Sequence, residues 1–247
     1  MEIPKIIHYC WFGRNPLPDL AKKCIASWKK YLPDYEIKEW NEDNFDVNII
    51  PYTAEAYKAK KYAFVSDYAR FWILYNYGGL YFDTDVEIIK PMDDIIARGP
   101  FMGCEKEAGK GATTLGVAPG LGLGVNPGLG LYKEILDFYA PLSFIEESKK
   151  GTETVVKYTT RILCRHGLKD TPDIQEVAGI TIYPKEYFCP KDYTTGKMSI
   201  TGKSVSIHHF GASWLPFYER LEHRIWQLLG LKPHRLMWHV NQWIRNI

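Results

Sequence analysis

The chain has 247 residues, enough to bury a sizeable core as one decorated domain. At 46% hydrophobic and 24% charged it reads as a folded globular protein, and a net charge of +2 argues against a general nucleic-acid binder. No apolar run reaches the roughly 18 residues of a membrane span, and the first residues lack the basic start and long apolar core of a signal peptide. Five widely spaced cysteines (Cys10, Cys24, Cys104, Cys164 and Cys189) fit reduced, mostly buried thiols of a cytoplasmic protein better than a disulfide or zinc framework.

In chain order, Lys5 to Trp11 predicts a first strand. Gly13 to Pro18 reads as a loop, and Leu20 to Tyr31 as an amphipathic helix stopped by Pro33. Tyr35 to Trp40 alternates as a strand does, completing a β-α-β unit, the usual start of a nucleotide-binding α/β sheet. Thr53 to Lys60 reads as a short helix. Beyond the central stretch, Val86 to Ile89 and Phe101 to Cys104 read as strands. Glu105 to Gly120 reads as a mobile loop, and Leu121 to Val125 as a strand closed by a turn at Asn126 to Gly128. Leu129 to Tyr139 and Thr152 to His166 predict helices; Ile180 to Tyr183 and Ser204 to His209 predict extended chain. Pro216 to Ile247 predicts two helices joined at Gly230 to Pro233. The domain reading is therefore 1–215 for the α/β domain and 216–247 for a C-terminal helical segment.

The central stretch runs from Ser66-Asp67-Tyr68-Ala69-Arg70 through Gly78-Gly79 to Leu80-Tyr81-Phe82-Asp83-Thr84-Asp85. Ser66 is placed to cap a helix whose first turn holds Asp67, with Val65, Tyr68, Ala69, Trp72 and Tyr75 on its packed face. Gly78-Gly79 supplies the left-handed stop, and Leu80 to Phe82 an interior strand. If the chain stays extended, Asp83 and Asp85 point to one side of the strand end. Two such carboxylates repel, which favours a compensating hard cation, Mg²⁺ or Mn²⁺, with open positions for water or phosphate. A solvated acidic turn is the alternative. Their close spacing suits a cation better than the separated acid/base pair of a glycoside hydrolase. No phosphate-binding glycine motif is present, because Gly120 to Gly130 lacks the lysine and the order such a loop needs.

The pattern Ser-Asp-x-x-Arg followed by Gly-Gly-x-Tyr-x-Asp-x-Asp resembles the sugar-binding region of family 32 of the glycosyltransferases. That family includes fungal mannosyltransferases and bacterial capsule and lipopolysaccharide enzymes. It is also similar to the core of the large toxin glucosyltransferases. The likeness begins at Ile3 to Gly13, is clear to about Pro91, and returns at Ile207 to Trp214. It implies a GT-A type fold, a Rossmann-like, mixed and mainly parallel sheet with nucleotide at the C-terminal strand ends. It implies a metal-dependent retaining transferase moving a hexose from a UDP- or GDP-linked donor to a glycan or lipid-linked glycan, in surface polysaccharide synthesis. A non-catalytic carbohydrate-binding protein of the same fold is the alternative.

Carried over position by position, Trp11 would stack on the base, and Asp67 and Arg70 would face the donor sugar and diphosphate. Tyr81 would lie near the sugar or serve as core. Asp83 would touch ribose or sugar and reach the metal mainly through water, while Asp85 ligates it directly. A third ligand is His208, three positions before Gly211, or its neighbour His209. Ser213 and Trp214 match a loop over the diphosphate, and Asn126 is a donor- or acceptor-side contact. His8 reads as a support of the first strand. The tail sets Arg220, Arg224, Lys232, Arg235 and Arg245 against Glu219 and Glu222, among Trp226, Trp238 and Trp243. It therefore reads either as helices packed on the domain or as a segment lying on an anionic membrane face.

Overall fold

The computed structural model describes residues 2–106, 115–151 and 153–211. Three short segments open the chain: strand β1 (Ile6–Cys10), helix α1 (Asp19–Tyr31) and strand β2 (Glu36–Trp40). Helices α2 (Pro51–Lys58) and α3 (Tyr62–Tyr77) lead into β3 (Gly79–Tyr81) and β4 (Val86–Ile88). Then come α4 (Asp93–Ile96), β5 (Phe101–Gly103), a 3-10 turn over Pro119–Leu121, and β6 (Leu123–Val125). Helices α5 (Gly130–Tyr139), α6 (Phe144–Lys149) and α7 (Val155–Arg165) precede β7 (Gln175–Val177) and β8 (Ile180–Tyr183). Helix α8 (Lys185–Phe188) and β9 (Ser206–His208) follow.

Seven strands form one sheet in the order β2-β1-β3-β6-β5-β8-β7. The pairings β1–β2, β1–β3 and β5–β8 are parallel, whereas β6 runs against β3 and β5, and β7 against β8. Only β6 and β7 are therefore reversed, so the sheet is mixed and mainly parallel, as expected. The strand period of two divides its side chains between two cores. Cys10 and Tyr81 join the core with α2, α3, α5 and α7, while Ile7, Tyr9 and Leu80 join Cys24 and Trp28 of α1 on the other face.

The strand β4 leaves this sheet and pairs antiparallel with β9, Val86 opposite His208. Helix α1 holds that small sheet in place. The Trp28 indole donates to the Val86 carbonyl at 2.8 Å, and the Ile88 N–H donates to Ser27 Oγ at 2.9 Å.

Helix α3 starts four residues before Ser66. Ser66 is not its cap but donates back to the Tyr62 carbonyl at 3.2 Å, and Asp67 lies in its second turn. The apolar residues Tyr62 to Val65 extend the helix, and helical backbone satisfies a serine hydroxyl as readily as a cap does. The helix is also buried more widely than one stripe. Arg70, Phe71, Ile73 and Leu74 are covered as well, because α3 is packed between the sheet and the helices α2 and α5. Gly78 (φ +64) and Gly79 (φ +98) make the left-handed stop, and a Cβ on Gly79 would stand 2.6 Å from the Ile6 carbonyl oxygen.

Part of the expected mobile loop is ordered. Val117 bridges Cys104, its N–H donates to Thr160 Oγ1 at 2.9 Å, and it is fully buried. The strand expected over Leu121 to Val125 begins only at Leu123. All five cysteines are free thiols, and only Cys164 is exposed. Among the described residues no helix is long and apolar enough to cross a membrane. Ser213, Trp214 and the segment 216–247 lie outside the described residues.

Candidate functional site

The site forms where β3 ends. The chain does not remain extended through the acidic pair. It leaves the sheet after Tyr81 and turns, the Val86 N–H donating to the Asp83 carbonyl at 3.0 Å. The turn still converges the carboxylates. One ligand atom each from Asp83, Asp85 and His208 lies within 4.8 Å of the others. His208 reaches the pair through the β4–β9 pairing, its Nε2 standing 3.1 Å from Asp85 Oδ1. The Gly211 N–H donates to Asp85 Oδ2 at 2.8 Å and the His209 N–H to the Asp85 carbonyl at 2.9 Å, so β9 wraps the aspartate. The His209 side chain turns away to Glu87, 2.7 Å from its Oε2.

Behind the pair, Arg70 joins two carboxylates. Its Nη2 is 3.0 Å from Asp67 Oδ1 and 3.3 Å from Asp83 Oδ1, and its Nε donates to the Ser66 carbonyl at 3.1 Å. The Tyr81 hydroxyl donates to Asp83 Oδ1 at 3.1 Å, and the guanidinium carbon lies 5.1 Å from the Tyr81 ring centre. Tyr81 is fully buried, so it supports the aspartate from the core. Asp67 and Arg70 are 8% and 3% exposed, which leaves only an edge of each open to a ligand.

One guanidinium is thus shared by the buried Asp67 and the partly exposed Asp83. Burial raises the Asp67 carboxyl to about 7, with Arg70 opposing and Asp83 adding to the shift. Burial raises Asp83 too, against Arg70 and with a further push from Asp85. Burial also acts on Asp85, but the His208 imidazolium and the bond from Gly211 overcome it and hold that carboxyl down to about 2. Burial opposes the charge on His208, yet Asp85 beside it moves its pKa well above the ordinary histidine value. The imidazolium therefore stands where a cation would balance the pair. Two carboxylate oxygens and an imidazole nitrogen on one small patch suit Mn²⁺ or Mg²⁺.

Trp11 follows β1 on the same edge, since β1 and β3 are parallel with His8 opposite Tyr81. Its indole N–H donates to the Asn15 carbonyl at 2.6 Å, and the partly exposed ring packs on the core by one side. His8 is a support. The Trp40 indole donates to its Nδ1 at 3.0 Å, so its Nε2–H donates to the Gly78 carbonyl at 3.0 Å. Burial lowers its pKa to about 4.

Asn126 is not brought to this site. Strand β6 runs against β3, with Val125 opposite Gly79 and Leu123 opposite Tyr81, so Asn126 lies beyond the start of β3, at the end remote from Asp83. The same reversal delivers Gly120 instead. The Asp83 N–H donates to the Gly120 carbonyl at 3.1 Å, and a Cβ at Gly120 would stand 2.1 Å from Asp83 Oδ2 and 3.4 Å from Arg70 Nη1. Sequence reasoning missed this residue; its only trace was a glycine-rich run that fitted no phosphate loop.

Residues 18–102 match the family described as the glycosyltransferase sugar-binding region containing the DXD motif. Inositol phosphoceramide mannosyltransferase 1 of Schizosaccharomyces pombe is 28% identical over 112 residues, 41% of this chain and 34% of the relative. Inositol phosphoceramide mannosyltransferase 3 of the same yeast is 30% identical over 125 residues, 48% of this chain and 34% of the relative. The chain thus spans about a third of the length of these relatives. Among solved structures, a glycosyltransferase involved in glycosylation of the major capsid of PBCV-1 superposes with a TM-score of 0.49 at 13% identity, covering 89% of this chain and 98% of that one.

Proposed function

We propose that this chain, whose residues 18–102 match the glycosyltransferase sugar-binding region containing the DXD motif, is a metal-dependent, retaining transferase moving a hexose from a nucleotide sugar to a glycan or lipid-linked glycan. The observation that carries this reading is the convergence of Asp83, Asp85 and His208 beside the Asp67–Arg70 pair, at the end of a mainly parallel sheet. Open α/β sheets take ligands at that end.

In this reading Asp85 and His208 hold the divalent cation and Asp83 completes the patch. When bound, the cation supplies charge neutralisation to the departing diphosphate. Arg70 adds a fixed positive charge, its fork already oriented by Asp67, Asp83 and the Ser66 carbonyl. The exposed edge of Asp67 accepts a hydroxyl bond from the donor sugar. Trp11 offers its open face to the base. In this reading no carboxylate serves as a covalent nucleophile. Front-face attack, with the leaving phosphate oxygen taking the acceptor proton, accounts for retention.

The activity for which the yeast relatives are named favours a phosphate-bearing glycolipid or related glycan as acceptor. Surface polysaccharide synthesis on the cytoplasmic membrane face is the setting, with the basic, tryptophan-rich tail as the membrane contact. The deciding experiment is hydrolysis of UDP- and GDP-linked hexoses with Mn²⁺ against a chelator. Metal-dependent release of nucleotide from one donor supports the transferase. Binding of sugar with no such release from any donor identifies a carbohydrate-binding protein instead. Sedimentation with anionic vesicles tests the tail, which is structural if the protein stays in the supernatant at low salt.

A further inference from the structure

His208 engages one ring nitrogen and leaves the other without a bond. Its Nε2 stands 3.1 Å from Asp85 Oδ1, but Nδ1 is buried and makes no hydrogen bond among the described residues. His8 shows the contrast. Its two ring nitrogens are both satisfied, one by the Trp40 indole and one by the Gly78 carbonyl. Buried polar atoms are ordinarily paired, so an orphan nitrogen on a candidate ligand points to a function.

The chain running out of α8 lies beside that nitrogen. Residues 186–191 follow β9 and are bonded to it at successive steps. The Ser204 hydroxyl donates to the Glu186 carbonyl at 2.7 Å, the Val205 N–H to the Tyr187 carbonyl at 2.8 Å, and the Ser206 hydroxyl to the Phe188 carbonyl at 3.3 Å. Further along, Lys191 Nζ donates to the His209 carbonyl at 2.8 Å. This register sets Cys189 beside His208, with the fully buried thiol within reach of the imidazole.

The thiol is oriented as well as placed. Its S–H donates to the Lys191 carbonyl at 3.7 Å, which leaves the sulfur lone pairs free to accept. Lys191 thus holds the thiol through its carbonyl and β9 through its ammonium.

We infer that Cys189 is the positioning residue of His208, its sulfur receiving the Nδ1–H when Nε2 ligates the cation. A neutral imidazole has one lone pair and one N–H, so the nitrogen opposite the ligating one must carry the proton. Ligating histidines are held in that tautomer by an acceptor for the second N–H, most often a carboxylate, carbonyl or water. Sulfur accepts more weakly, so Cys189 fixes the ring while adding less to its basicity than a carboxylate would. This rests on the metal-dependent reading above and adds a residue to its site.

The test is calorimetric titration of the full chain with Mn²⁺ alone. Cys189→Ala is expected to weaken binding about tenfold, the low end for loss of such a partner, because the acceptor removed is weak. Cys189→Ser keeps an accepting atom and should stay within about threefold of wild type. In a His208→Ala background, Cys189→Ala should cause no further loss, since the thiol acts only through the imidazole. Cys189→Val, which fills the space without an acceptor, serves in place of alanine if that variant does not fold. Affinity unchanged by alanine or valine, an equal loss in the serine variant, or a full loss in the His208→Ala background each overturns the inference and leaves the metal site standing. Absence of Mn²⁺ binding by the wild type is a separate outcome, which removes the metal-dependent reading and this inference with it.

Discussion

Asp83 and Gly120 are locked together across the sheet edge: the aspartate N–H donates to the glycine carbonyl at 3.1 Å, and its side chain fills the space a Cβ would need. Gly120→Ala would push the carboxylate off Arg70 and away from Asp85. The expected outcome is a folded protein with activity reduced by about a hundredfold, the scale of a misplacement near one ångström. Activity within a few-fold of wild type shows that the carboxylate position tolerates that shift.

Arg70→Met tests the shared guanidinium. Removing the cation from the buried Asp67 is expected to cost about 3 kcal/mol of stability, the low end for a broken buried pair, read by urea denaturation. Arg70→Lys keeps the charge but loses the fork and the Nε bond to Ser66. It should regain stability without regaining turnover. Full activity in the lysine variant removes the bidentate role.

Asp85→Asn is expected to abolish transfer while the protein remains folded, because one charge of a repelling pair is deleted. Rates near wild type at saturating Mn²⁺ would sink the assignment of Asp85 as a ligand.

Binding of Mn²⁺ should be linked to pH through His208. The imidazole is charged below a pKa raised by Asp85, against the effect of burial, and must lose that proton to ligate. Affinity therefore falls as pH drops, by about tenfold per unit while His208 is protonated. His208→Ala flattens the slope and raises the Mn²⁺ needed for half-maximal rate. The same behaviour in His209→Ala, with none in His208→Ala, would exchange the two histidines' roles.

His8 gives stability a second pH dependence, unrelated to metal. Its folded pKa is depressed from 6.5 to about 4 by burial, so the unfolded chain binds the proton first. Stability from this group is complete above 6.5 and is lost as pH falls from there toward 4, amounting to about 3 kcal/mol. Wild-type urea midpoints should drop across that window, and His8→Gln should lack this part of the drop. Parallel curves for the two proteins contradict it.

Much of the fold was legible because strand alternation and helix stops are local. Ile7 and Tyr9 fall on one face and Cys10 on the other as a period of two requires, and Gly78-Gly79 ends α3 where it should. Strand order was not legible, since pairing is non-local. Nothing near Leu123 says that β6 lies reversed between β3 and β5, and that reversal is why Asn126 falls away from the site while Gly120 enters it. Asp83, Asp85 and His208 were found by motif, not by contact. Ser66 misled because a serine within a helix and one at its start look alike in sequence.

The pairing of β4 with β9 bears on how the protein is made. Asp85 and Gly211 are 126 residues apart in sequence, so the acidic turn leaves the ribosome long before its histidine. During vectorial synthesis the nascent chain carries the aspartates without the imidazole, and the small sheet can zip only after the late strand emerges. In the metal-dependent reading, cation binding therefore waits for β9 to emerge. A translation arrest between β8 and β9 yields a polypeptide holding all seven strands of the main sheet without His208 beside the acidic turn.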